Sequence, residues 1–276
     1  SPSASFKDEP DTRALMQTER LTTLRDKLLS PWPGIWEGTW KRRNLLGGHL
    51  FRIEVLIFGL LVIAIPYFGS NIIAAANGVT FWDPEITLDR QIPVIGWMIA
   101  PYMALYLFYP ATLICNPRDD RHRLELIAGV QMLSLATIFC SLFFLAFPAE
   151  IDMRRDIDWD SLSGWQASLF EIVHKMDQPW NAWPSLHIAH SYFLAQAITR
   201  WVKASHGDST GSRLFLLVLW VEFVLLCISI LTTKQHYIWD LGTGLFVGFI
   251  GWRIALPVLD SIRALPDAEI HPFPNH

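Results

Sequence analysis

The chain has 276 residues, of which 51% are hydrophobic and only 17% charged, with 13 Trp and 17 Phe. That balance is too apolar for a soluble domain of ordinary composition. A net charge of −4 offers no basic excess for a nucleic-acid partner. The three cysteines, Cys115, Cys140 and Cys227, follow no metal-ligand spacing and read as small buried hydrophobes.

In chain order, the opening Ser-Pro-Ser-Ala-Ser carries no methionine and reads as a processed, trimmed or tag-derived end. From Thr12 to Leu29, Leu15, Leu21, Leu24 and Leu28 recur at helical spacing among charges. That pattern predicts an amphipathic helix, lying on the membrane or frayed in solvent. Trp32, Trp36 and Trp40, followed by Lys41-Arg42-Arg43, read as a membrane boundary on its cytoplasmic side. Six apolar runs long enough to cross a bilayer follow, at roughly 51–76, 92–115, 123–148, 184–204, 213–233 and 236–257. The expected fold is all-α: a six-span transmembrane helical bundle over 51–258, with an N-terminal interfacial segment 1–50 and a polar tail 259–276. The longest connection, 149–183, carries Arg154-Arg155 and a short helical piece from Ser168 to Met176. Glu222, mid-way along the fifth run, must be protonated, paired or facing a wet cavity, and Gln131 and Gln196 read as structural bonds inside the bundle.

Basic residues orient the bundle. Lys41, Arg42, Arg43, Arg52, Arg118, Arg121, Arg123, Arg200, Lys203, Arg213, Arg253 and Arg263 flank the face that carries the N-terminus. Arg90, Arg154, Arg155, Lys175 and Lys234 flank the other. The asymmetry predicts a cytoplasmic N-terminus and an opposite face in the periplasm or a lumen.

Two stretches on that second face carry chemistry. In Asn181-Ala182-Trp183-Pro184-Ser185-Leu186-His187, a polar loop becomes an apolar run, and Pro184 suits the opening turn of a helix. The unpaired N–H groups and the dipole of that helix make an anion site, to which the Ser185 hydroxyl and His187 imidazole add. In Thr232-Thr233-Lys234-Gln235-His236-Tyr237-Ile238-Trp239-Asp240, His236 and Asp240 are four apart and share a helix face. A carboxylate there holds one imidazole nitrogen and frees the other to attack. One histidine at a phosphate cradle and another paired to a carboxylate point to phosphoryl transfer.

The two stretches resemble the second and third signature motifs of the type 2 phosphatidic acid phosphatase superfamily of integral membrane enzymes. Pro184-Ser185-Leu186-His187 matches Pro-Ser-x-His, and Ser229 with His236-x3-Asp240 matches Ser-Arg-x5-His-x3-Asp, with Ile230 at the arginine position. Leu186 and the Thr-Thr-Lys-Gln-His-Tyr wording resemble most the inositol phosphorylceramide synthase-like branch. The first motif, Lys-x6-Arg-Pro, is absent as written, and Arg154 and Arg155 are the nearest substitutes. The resemblance implies a membrane lipid phosphatase or phosphotransferase that needs no metal and no other cofactor. His236, polarised by Asp240, would form a phosphohistidine, and His187 would serve as acid and then base. Ser185, Lys234, Arg154 and Arg155 would hold phosphate, with His190 and Pro184 in support. The substrate would be a phospholipid, a phosphosphingolipid or a polyprenyl phosphate, with water or an alcohol as acceptor. A phosphosphingolipid synthase-type head-group transferase is the alternative within the class. Outside it stand a transporter and a metal-dependent hydrolase using His187, His190, His236 and Asp240.

Overall fold

The structure, a computed structural model, describes residues 24–267 and 270–273. Most of the amphipathic helix expected from Thr12 therefore lies outside the described residues; its end, 24–29, is helical. The helices are α1 (Pro33–Lys41), α2 (His49–Asn77), α3 (Thr87–Gln91), α4 (Ile99–Met103), α5 (Leu105–Cys115), α6 (Asp120–Ala146), α7 (Gly164–Met176), α8 (Leu186–His206), α9 (Thr210–Thr232) and α10 (Ile238–Ala264). Among the described residues the only extended pairing is one bridge, Ala149 with Asn181.

Five segments are long and apolar enough to cross a membrane: Leu45–Asn77, Gly96–Cys115, Asp120–Ala146, Thr210–Thr232 and Ile238–Ala264. The helix α8, where a further span is expected, has the length at 21 residues but not the apolarity, since His187, His190, Arg200, Lys203 and His206 lie along it. Its position explains this. It packs against α5, α6, α9 and α10, so His187 and His190 are buried in protein and Arg200 pairs with Glu125, while Lys203 and His206 fall in its exposed last turns.

The second apolar run is broken, not continuous. Pro101 has no N–H to give to a helix, and the Ala104 N–H closes a tight turn on the Pro101 carbonyl at 3.1 Å before α5 begins. The break sets Tyr102 against α8. At the other side of α8, Gly244 and Gly248 bring α10 into backbone contact. A β-carbon at Gly248 would lie 2.8 Å from the Ala189 carbonyl oxygen. Small residues at such a seam let helices approach where no hydrophobic effect drives them together.

Trp36 and Trp40 differ from the boundary reading, because both rings are buried in the bundle. Trp36 meets Phe58 edge-on at 4.6 Å and donates its indole N–H to Gln131 Oε1 at 2.7 Å. The Gln131 amide in turn donates to the Leu28 and Ser30 carbonyls at 3.0 and 2.8 Å. The prolines at 31 and 33 interrupt the chain there, and in apolar surroundings the freed carbonyls need such a partner. Gln196 donates to Tyr192 Oη at 3.0 Å, while Glu222 Oε1 is buried with no partner among the described residues. The helix α10 runs on to Ala264, past the expected end at 257. There Arg263 and Arg200 both pair with the fully buried Glu125, each at 3.1 Å.

Candidate active site

Two helix starts meet at one end of the bundle. The chain leaves α9 through a tight turn in which the Ile230 carbonyl accepts from both the Gln235 and His236 N–H groups, at 3.1 and 3.0 Å. Lys234 takes the left-handed conformation there, with φ 58°. The helix α10 then begins at Ile238, and Asp240 reaches back to accept the Tyr237 N–H at 2.8 Å. The same carboxylate oxygen faces His236 Nδ1 at 3.2 Å, and the Ala182 carbonyl faces that nitrogen at 3.2 Å too. Two acceptors fix the proton on Nδ1, so Nε2 presents its lone pair. It points at the Ser185 hydroxyl, 3.4 Å away.

Ser185 caps α8 instead of following its first turn, so Pro184 stands one residue before the cap, outside the helix. The Ser185 N–H is spent on the Asp240 carbonyl at 3.2 Å, which ties the two helix starts together. The N–H groups of Leu186, His187 and Ile188 have no acceptor among the described residues. They face outward from the helix end, as an anion site requires. The His187 ring lies 5.7 Å from that of His236 and 4.6 Å from that of Tyr102, tilted by 30° to the latter.

The four basic or supporting residues expected here separate. Arg154 lies in the short 3-10 turn Asp152–Asp156 and gives its Nη1 to the Asp177 carbonyl at 2.7 Å, while its Nε is buried and unpaired. It is close enough to act electrostatically on His187, Tyr102 and His174. Arg155, its neighbour, is 75% exposed and stands 3.9 Å from Glu150, away from the pair of histidines. The Lys234 ammonium is buried, which holds it below the usual lysine range, and donates to the Asp89 backbone carbonyl at 2.8 Å. His190 is fully occupied: Tyr109 Oη meets Nδ1 at 2.8 Å and Thr137 Oγ1 meets Nε2 at 3.0 Å. The Thr137 hydroxyl proton is used on the Leu133 carbonyl, so Nε2 is the donor and Nδ1 the acceptor.

Several groups escaped sequence reasoning. Asp89 is buried and braces the turn through both oxygens, accepting from Ile238 N and Ile86 N at 2.8 Å each. Asp177 is held by Tyr67 Oη at 2.8 Å and Asn71 Nδ2 at 2.6 Å, and burial raises its carboxyl above the usual range. Gln235 gives its amide to the Thr233 carbonyl at 2.8 Å and to His174 Nε2 at 3.1 Å. Burial, then the charge of Arg154, lower His174 to about 4, so its imidazole is neutral at pH 7. In the sequence only position marked them: His174 and Asp177 lie in the long connection and Gln235 beside His236, while Asp89, in the loop before the second apolar run, had no such mark. On the inner side, an apolar cleft of about 180 Å³ between α2, α5 and α8 is lined by Leu60, Ile63, Tyr67, Tyr106 and Leu186 and ends on His187.

No characterised protein and no solved structure matches the chain. A family model does, over residues 91–254, the stretch from the end of α3 to the last turns of α10. That match takes in both helix starts, and by it the chain belongs to the PAP2 superfamily, whose members are generally phosphatases.

Proposed function

We propose that the protein is a multi-pass membrane lipid phosphatase or phosphotransferase that works through a phosphohistidine on His236 and needs no metal. The observation that carries this reading is the pinned His236 ring: Nδ1 faces two acceptors, and Nε2 faces the Ser185 cap and the free N–H groups of α8. Nε2 attacks phosphorus as the bond to the lipid oxygen breaks, and His187 delivers a proton to that oxygen. His187 then takes a proton from water or an alcohol, whose oxygen attacks phosphorus and releases His236. Arg154, Ser185 and the N–H groups of residues 186–188 balance charge on the equatorial oxygens. Asp240 holds the ring and favours its cationic form during attack.

Two features support a lipid substrate. The apolar cleft ends on His187, and the acid that protonates a leaving group lies beside that group, so the hydrocarbon part departs first. The site also sits at one end of helices apolar enough for a bilayer. With α8 as a sixth, central span, the basic-residue asymmetry puts this end in the periplasm or a lumen. A second reading, head-group transfer as in phosphosphingolipid synthases, is favoured by the supply of cations. With Lys234 turned to Asp89 and Arg155 exposed, Arg154 is the one Arg or Lys among the described residues that acts on His187, and one guanidinium suits a singly charged phosphodiester.

The test is turnover by purified protein of a panel of phosphomonoester and phosphodiester lipids, with and without alcohol acceptors and with excess chelator, products read by mass spectrometry. Release of inorganic phosphate supports the first reading and a new phosphodiester the second. Turnover abolished by chelator overturns the metal-independent mechanism.

A further inference from the structure

We propose that Tyr102 is a further catalytic residue of this site, its phenolic hydroxyl donating a hydrogen bond to a phosphoryl oxygen while its ring holds His187 in line with His236. The inference rests on the phosphoryl-transfer reading above. Three rings stand in sequence: Tyr102 to His187 at 4.6 Å and His187 to His236 at 5.7 Å. The His187 imidazole makes no hydrogen bond to any described residue, so the ring of Tyr102, tilted 30° to it at 4.6 Å, is what steadies it.

The hydroxyl is the telling group. Buried tyrosines spend their O–H inside the protein, and its neighbours here do so: Tyr67 on Asp177, Tyr109 on His190, Tyr237 on the Glu150 carbonyl. Tyr102 is 1% exposed, yet its hydroxyl has no partner among the described residues. It lies within electrostatic reach of both Arg154 and Asp177, which border the site on the polar side. The wall beside it is apolar, made by Ile99, Ile188 and Ile230 of the same cluster. A phosphoryl group on His236 therefore meets one guanidinium, the α8 N–H groups and this hydroxyl. An O–H that donates to developing negative charge in a largely apolar site is worth far more than the same bond in solvent.

The variants Tyr102→Phe, Tyr102→Leu and His236→Ala, purified in detergent, test this. The hydroxyl bonds none of the described residues, so Tyr102→Phe leaves thermal stability at the wild-type value. With phosphatidic acid as probe, its kcat falls about 100-fold while KM moves by less than about threefold. Binding of orthovanadate, which needs no knowledge of the natural lipid, weakens by at least about tenfold. Tyr102→Leu, lacking the ring as well, also displaces the His187 limb of the pH profile, which Tyr102→Phe leaves in place. Wild-type vanadate affinity in Tyr102→Phe overturns the proposal while the phosphohistidine reading stands. Undiminished turnover or vanadate binding in His236→Ala overturns the reading itself.

Discussion

A β-carbon on Gly244 would stand 2.6 Å from the carbonyl oxygen of Ser185, the residue that caps α8 beside the proposed nucleophile. The seam between α8 and α10 and the geometry of the two histidines are thus one structural fact. Gly244→Ala must push the helix starts apart, because the obstacle is backbone and cannot swing aside. A shift of about 1 Å in reacting groups costs on the order of 100-fold in rate, and that loss is expected here. Gly242→Ala, whose β-carbon meets nothing within 4 Å, leaves turnover unchanged. Turnover per mole of monodisperse protein checks both.

Arg154 and Lys234 should fail differently. Arg154→Ala removes charge from the phosphate and costs about 2–4 kcal/mol of transition-state stabilisation; it also frees the Asp177 carbonyl, so a fall in kcat accompanies any fall in Tm. Arg155→Ala stays near wild type. Lys234→Ala strands the Asp89 carbonyl and costs about 1–3 kcal/mol of stability, read as a lowered Tm. Lys234→Ala with wild-type Tm but abolished kcat would return the phosphate role to the lysine.

Asp240→Asn keeps an oxygen for the Tyr237 N–H, so the start of α10 survives. The His236 ring loses the carboxylate that stabilises its cation, and turnover should drop by about 1,000-fold or more. Acid-quenched protein incubated with labelled substrate should carry acid-labile phosphate in the wild type and none in His236→Ala.

His174 predicts the acid limit of stability. Its native value, about 4, lies below the usual value of a free imidazole, about 6.5, so between those pH values the unfolded chain binds more protons than the native one. Stability therefore falls as pH drops from about 6.5 towards about 4. Protonation also puts a hydrogen on the nitrogen that accepts from Gln235. His174→Asn should flatten the dependence of Tm on pH across that window, and a curve as steep as the wild type would remove His174 as its source.

Orientation is open to labelling. Ser161, in the connection before α7, and Ser209, before α9, are both exposed. Cysteine at 161 should react with an impermeant thiol reagent in intact cells, and cysteine at 209 should not. The reverse pattern would put the site in the cytoplasm.

Local spacing accounts for what was legible. Ser185 and His187 flank a helix start because the chain changes there from polar to apolar. His236 and Asp240 are close in the chain and do meet, but not on a shared helix face: His236 precedes α10, and Asp240 turns back over the helix start onto the Tyr237 N–H and the His236 ring. Hydropathy alone predicts a continuous second span, yet a turn at Ala104, closed on the Pro101 carbonyl, divides it, and the Trp36 stripe beside basic residues predicts a boundary, yet Gln131 draws it inward.

What the sequence determined by itself is therefore an all-helical chain with long apolar runs and two short stretches whose residues contact their own near neighbours. Composition sets the first, and short separation along the chain at a helix start the second, without reference to the rest of the fold. Tertiary structure alone decided which cation faces the histidines, that α8 lies at the centre, and that Tyr102 stacks on His187 from 85 positions away in the chain. Arg154 and Arg155 are adjacent and chemically identical, so no local rule separates them. Their burial does: one guanidinium is held on the Asp177 carbonyl inside the site, and the other is left in solvent. Packing across the bundle makes that choice, because the direction of a side chain leaving a short turn depends on what the turn is pressed against.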